Sequence, residues 1–128
     1  ASALKSCIPD LYVMAVERAE STVLSGGQKG SHKIGGIGAG FIPPLYRPEL
    51  VSEVYKVSSN NALEMTKTVA QTEGLPVGVS AAAALCGAVN LAKRDEMSGK
   101  NIVVVLPDSI ERYLSDPFFN EDKSEIQE

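Results

Sequence analysis

The run Ile102-Val103-Val104-Val105-Leu106 constrains the fold more than any other feature of this chain. It is apolar at every position, four of its five residues are β-branched, and Asn101 and Pro107 bound it. Such a run predicts a strand buried on both faces, and strands of that kind belong to parallel sheets covered by helices. Leu11-Tyr12-Val13-Met14-Ala15-Val16 repeats the pattern between the Pro9-Asp10 turn and Glu17-Arg18. Glu53-Val54-Tyr55-Lys56-Val57 alternates and predicts a further strand. Pro76-Val77-Gly78-Val79 reads as a short extended piece.

Helical spacing fills the gaps. Leu4 to Cys7 reads as the end of a helix. Ser58-Ser59-Asn60-Asn61 supplies an N-cap, Ala62, Met65, Val69 and Ala70 follow at helical spacing, and Gly74 is a C′ stop. Ser80 is read as the N-cap of a helix over 81–93, with Lys93 suited to its C-terminal end. Ser98-Gly99-Lys100 turns the chain, and Pro107-Asp108-Ser109 opens a short helical turn to Tyr113. The resulting order is that of an α/β fold, a mostly parallel sheet with flanking helices. Three or four strands are few for a sheet covered on both faces, so the pattern reads as part of a larger sheet.

Composition narrows the function. The chain has 128 residues, 44% of them hydrophobic and 22% charged, which suits one ordinary globular domain. A net charge of −4 without a basic cluster leaves no electrostatic footprint for nucleic acid. No apolar run reaches the length of a membrane span, and the opening ASALKSCIPD has no signal-peptide core. Cys7 and Cys86 make no disulfide framework, so the expected compartment is a reducing cytoplasm.

Several familiar motifs fail. Gly36-Ile37-Gly38-Ala39-Gly40 is followed by Phe41 where a dinucleotide fingerprint needs glycine. Residues 94–101 lack the first glycine and the final Ser or Thr of a P-loop. His32 is the only histidine and makes no metal site with two distant cysteines.

Three segments remain. Residues 25–44 form a long glycine-rich loop without periodicity, and long loops of this kind are often functional. Its glycines allow close backbone approach to a ligand. A plain linker is the structural alternative, but flanking Ile34, Ile37, Phe41 and Ile42 are too apolar for one. Ser80 precedes Ala81-Ala82-Ala83-Ala84, whose small side chains leave room for a flat ring; capping and helix propensity are the bland reading. Pro107 and Asp108 follow the 102–106 run, where open parallel sheets bind ligands, and a simple capped turn explains them equally well.

Together these blocks resemble the O-acetylserine sulfhydrylase (cysteine synthase) family. The likeness runs through Val16-Glu17-Arg18-Ala19-Glu20-Ser21, Val23-Leu24-Ser25-Gly26-Gly27, the stretch from His32 to Pro43, Glu73-Gly74-Leu75-Pro76-Val77-Gly78-Val79-Ser80, and the stretch from Val103 to Ser115. It implies that residues 1–119 are the C-terminal part of a fold-type II pyridoxal-phosphate (PLP) enzyme, a transferase of cysteine biosynthesis, with an acidic tail over 120–128. The implied cofactor is pyridoxal 5′-phosphate, with Ser80 on its pyridine nitrogen and Pro107 and Asp108 near the pyridine edge. Gly36, Ile37, Gly38 and Ala39 match the loop on the substrate side, for O-acetylserine and sulfide. A homodimer is implied, as is binding of the serine acetyltransferase C-terminal tail.

The departures are specific. Gly35 stands where the family usually has Gln, and Arg18 replaces a common proline. Ala82 adds a methyl near the expected ring, where the family has glycine. The family's Schiff-base lysine, asparagine loop and phosphate loop lie upstream of the matched region, and Lys5, Lys29 and Lys33 do not match that lysine. The expectation is a chain inactive by itself. Pro107-Asp108-Ser109 is shared with cystathionine β-synthase, the alternative within the class; a non-catalytic ligand- or peptide-binding α/β unit is the alternative outside it.

Overall fold

The computed structural model describes residues 1–28, 30, 37 and 40–113. Three α-helices and two strands appear in the order α1 (Ser2–Cys7), β1 (Met14–Arg18), β2 (Glu53–Val57), α2 (Ser59–Glu73), α3 (Val79–Ala92). Short 3₁₀ turns occupy Pro48–Leu50, Asp95–Met97 and Ile110–Tyr113. The strands pair in parallel, from Met14 opposite Glu53 to Arg18 opposite Val57. The α/β class and the parallel pairing are as the sequence predicts.

Local chemistry sets the helix ends. Ser58 has extended backbone, and its Oγ accepts the Asn61 N–H at 3.2 Å, so α2 starts at a side-chain cap. Gly74 takes the left-handed conformation, φ 67°, and stops the helix. Ala62, Leu63, Thr66 and Val69 make the buried stripe of α2. Thr66 satisfies its own hydroxyl on the Ala62 carbonyl at 3.0 Å.

α3 is the centre of the molecule. It packs on α2 and lies against both strands. Its small residues make both contacts close. At Gly87 a Cβ would stand 3.0 Å from Val16 Cγ2, 3.2 Å from Met14 Sδ and 3.4 Å from Tyr55 Cδ1. Val57, Ala62, Leu63, Val79 and Ala83 form one core cluster; Val69, Val77, Ala81 and Ala82 form the second.

Three expectations need correction. Residues 102–106 form no strand among the described residues, because no other strand lies beside them to pair with. Val103 is 90% exposed and Val105 77%, which is the reverse of a strand buried on both faces. The piece over 76–79 is no strand either: Val77 makes one isolated antiparallel bridge to Ser109, and helix begins at Val79. β1 starts later than its apolar run suggests and continues through the charged residues read as its boundary. Those residues are its deepest part: Glu17 is 3% exposed and Arg18 1%.

Glu17 stays buried because the backbone answers it. Its carboxylate accepts the Leu24 N–H at 2.9 Å and the Ser25 hydroxyl, which closes the turn after β1. Nearby, Glu20 accepts the Ser59 N–H at 2.7 Å, an acid at the start of α2 where the helix dipole favours negative charge. Desolvation pushes the Glu20 carboxyl up, but the Ser59 hydrogen bonds and the Arg18 charge outweigh it and hold it below its ordinary value.

Candidate functional site

Ser80 does not cap α3; Gly78 does, with extended backbone, and Ser80 lies inside the first turn. The helix begins earlier than the serine suggests because Gly78 leaves room for another segment. A Cβ at residue 78 would sit 2.1 Å from Asp108 Oδ1. The Asp108 carboxylate thus occupies the place a side chain would take.

The backbone stitches the two segments together. Gly78 N–H donates to the Asp108 carbonyl at 3.0 Å, and Ile110 N–H donates to the Pro76 carbonyl at 2.9 Å. Between them runs the bridge of Val77 with Ser109. Ser80 Oγ–H then donates to Asp108 Oδ1 at 3.3 Å. The serine is 6% exposed and Asp108 is half-buried. Pro107 is exposed beside them.

Of the sequence-predicted residues, Ser80 and Asp108 come together, with Pro107 adjoining. Ile37 packs half-buried against the core cluster of Val57, Ala62, Leu63, Val79 and Ala83. Gly36, Gly38 and Ala39 lie outside the described residues, as does the tail over 120–128. Ala82 is fully buried, with Val69 and Val77 in its cluster, so its methyl fills core. The sequence reading missed Gly78 as the residue that makes the contact possible; a glycine directly before an apolar helix start was the available signal.

The resemblance assigns the pyridine edge of a PLP ring a hydroxyl donor, and Ser80 has the chemistry for that. A neutral hydroxyl, held in a helix turn of small side chains, offers one proton and two lone pairs. Asp108 is the acceptor that now holds that proton. The wall is only partial. A cavity of about 300 Å³ lies in the groove between α2 and α3, lined by residues such as Asn61, Met65, Cys86 and Lys93, and Ser80 is not among its lining. Burial pushes the Cys86 thiol up and keeps it protonated, and its Sγ–H reaches the Asn61 carbonyl at 3.6 Å. Among the described residues no group of three or more His, Cys, Asp and Glu is placed to hold a metal ion, and no helix is long and apolar enough to cross a membrane.

Comparison with known proteins matches residues 1–108 to the family described as pyridoxal-phosphate dependent enzyme. Cysteine synthase of Staphylococcus aureus is 43% identical over 119 residues, which is 93% of this chain and 38% of that protein. A crystal structure of cysteine synthase from Entamoeba histolytica superimposes with a TM-score of 0.91 at 39% identity, covering 93% of this chain and 35% of that one. An O-acetylserine dependent cystathionine β-synthase from Helicobacter pylori superimposes with a TM-score of 0.83 at 36% identity, covering 90% and 37%. The chain therefore spans a little over a third of the length of the relatives it matches.

Proposed function

This chain belongs to the family of pyridoxal-phosphate dependent enzymes, and from that premise we propose that it forms the pyridine-facing part of a cysteine synthase. The reaction replaces the acetoxy group of O-acetylserine with sulfide and gives cysteine and acetate. The observation that carries this reading is the meeting of Ser80 and Asp108 at the first turn of α3. The names of the relatives support the chemistry.

When bound, PLP supplies an electron-accepting ring conjugated with the substrate's α-carbon. The chain's own residues orient and shelter it. Ser80 pairs with the ring nitrogen through a neutral hydroxyl and does not enforce a pyridinium, which suits elimination of a good leaving group. Pro107 and Asp108 flank that edge. By the resemblance, Gly36, Ile37, Gly38 and Ala39 would take the part of the family's substrate-side loop, whose closure keeps water out.

The chain alone carries out no turnover in this reading. None of Lys5, Lys29 and Lys33 takes the Schiff-base role, and the phosphate cradle belongs to another part of the fold. The assembled protein is a homodimer that admits the C-terminal tail of serine acetyltransferase to the same cleft. Two cysteines free of disulfide suit a reducing cytoplasm.

The test is turnover of O-acetylserine and sulfide. Cysteine should form with the complete fold and not with the 128-residue chain; cysteine made by the chain alone overturns the reading. Pro107-Asp108-Ser109 and the Helicobacter pylori relative favour a second reading, cystathionine β-synthase. Homocysteine in place of sulfide separates the two. No product with either leaves the non-catalytic binding unit.

A further inference from the structure

The groove between α2 and α3 brings together two opposed sets of polar groups that the fold leaves uncommitted. Two helical stripes line it. α2 lends Asn61, Glu64, Met65 and Thr68; α3 lends Cys86, Val89 and Asn90, with Lys93 at its C-cap. Each stripe steps by three and four residues, so each is one continuous helix face. The faces meet where Cys86 Sγ–H donates to the Asn61 carbonyl at 3.6 Å. A space of about 300 Å³ stays open between them, at the lower end of the range for small-molecule pockets.

The α2 wall accepts hydrogen bonds and the α3 wall donates them. Glu64 offers a carboxylate. Thr68 Oγ1 commits its proton to the Glu64 carbonyl at 3.0 Å, so lone pairs are what it has left to offer. On the other wall, Asn90 Oδ1 accepts Arg94 Nη2–H at 3.2 Å, which leaves its amide N–H groups as donors. Lys93 adds an ammonium. Among the described residues no ion pair or hydrogen bond engages the Glu64 carboxylate or the Lys93 ammonium. The rest of the lining is apolar, aromatic or sulfur-bearing, from Tyr55, Met65, Cys86 and Val89. We propose that this groove binds the zwitterion of an α-amino acid with an uncharged, apolar or sulfur-bearing side chain. The ligand ammonium lies on Glu64 and Thr68, its carboxylate on Lys93 and Asn90, and its side chain against Met65, Val89 and the Tyr55 ring. A simple anion is repelled by Glu64 and a simple cation by Lys93, so a molecule carrying both charges fits best. Ser80 is not part of the lining, and the inference does not depend on the cysteine synthase reading.

Amide NMR of the chain titrated with L-methionine tests this. The amides of 61–68 and 86–93 should shift together and saturate, while those of α1 stay still. N-acetyl-L-methionine lacks the ammonium and L-methioninamide lacks the carboxylate; each should bind about ten-fold more weakly. Glu64→Gln and Lys93→Gln, both at exposed positions, should each weaken L-methionine binding by about three- to five-fold and leave the circular dichroism of the chain unchanged. Shifts that never saturate overturn the inference. So do equal binding of the two blocked forms, unchanged binding in either variant, and a saturating shift centred on Ser80 and Asp108 instead of the groove.

Discussion

Ser80 and Asp108, far apart in sequence, share one proton: the Ser80 hydroxyl donates to Asp108 Oδ1 at 3.3 Å. A hydroxyl has a single hydrogen, so a ring nitrogen arriving at Ser80 competes with Asp108 for it. Two substitutions in the complete fold should therefore act in opposite directions. Ser80→Ala should weaken PLP binding by about 1 kcal/mol, the net strength of a typical hydrogen bond. Asp108→Ala should strengthen it by about 0.5–1 kcal/mol by removing the competitor. Absorbance titration with PLP reads both, and equal weakening by both contradicts the competition.

Gly78 should tolerate no side chain. A Cβ there would meet the Asp108 carboxylate at 2.1 Å, and that carboxylate is tied to the same backbone turn. Gly78→Ala should cost about 1–3 kcal/mol of stability, the usual range for overpacking. Urea unfolding followed by circular dichroism measures it. Asp108→Gly in the same chain should recover part of the loss.

Gly87 sets the distance between α3 and the sheet. Alanine would bring helix propensity of about 1 kcal/mol against contacts of 3.0–3.4 Å, so its net effect is small. Gly87→Val adds a branched side chain against Val16, Met14 and Tyr55, and should destabilise by about 2 kcal/mol or more. The denaturation midpoint should fall for valine and barely move for alanine.

Glu53 gives the chain a predictable acid response. It accepts both guanidinium nitrogens of Arg94, at 2.7 and 2.8 Å, and the Tyr12 hydroxyl at 2.5 Å. Arg94 first, and Tyr12 after it, hold the Glu53 carboxyl down at about 2, against an ordinary value of 4.5. A carboxyl lowered on folding stabilises above its unfolded value and loses that contribution as pH falls from about 4.5 towards 2. Stability should drop across that window more in the natural chain than in Glu53→Gln. The difference should shrink at high salt, because both side chains are partly exposed.

How much of this was written in the sequence depends on the range of the interaction. α2 was legible at both ends, because Ser58 and Gly74 act on their own neighbours. The start of α3 was misplaced by two residues: Ser80 is a good cap by composition, but Gly78 is selected by a carboxylate thirty positions away. Glu17 and Arg18 looked like a strand boundary since burial of charge depends on partners that periodicity does not reveal; Leu24 and Ser25 answer Glu17. The pairing of 102–106 was overestimated for a related reason. A run of β-branched residues states a preference for a sheet, and the sheet must be present to satisfy it. Ser80, Pro107 and Asp108 were named through ordered blocks of resemblance, and the fold brings the Ser80 and Asp108 side chains within hydrogen-bonding distance.

The stitch between the turn before α3 and residues 108–110 runs through main-chain atoms. It works like a rivet between two plates: a tug on the valine-rich plate reaches the serine without passing through any side chain that substitution can remove. Whatever shifts residues 108–110 therefore shifts the first turn of α3 and carries Ser80 with it.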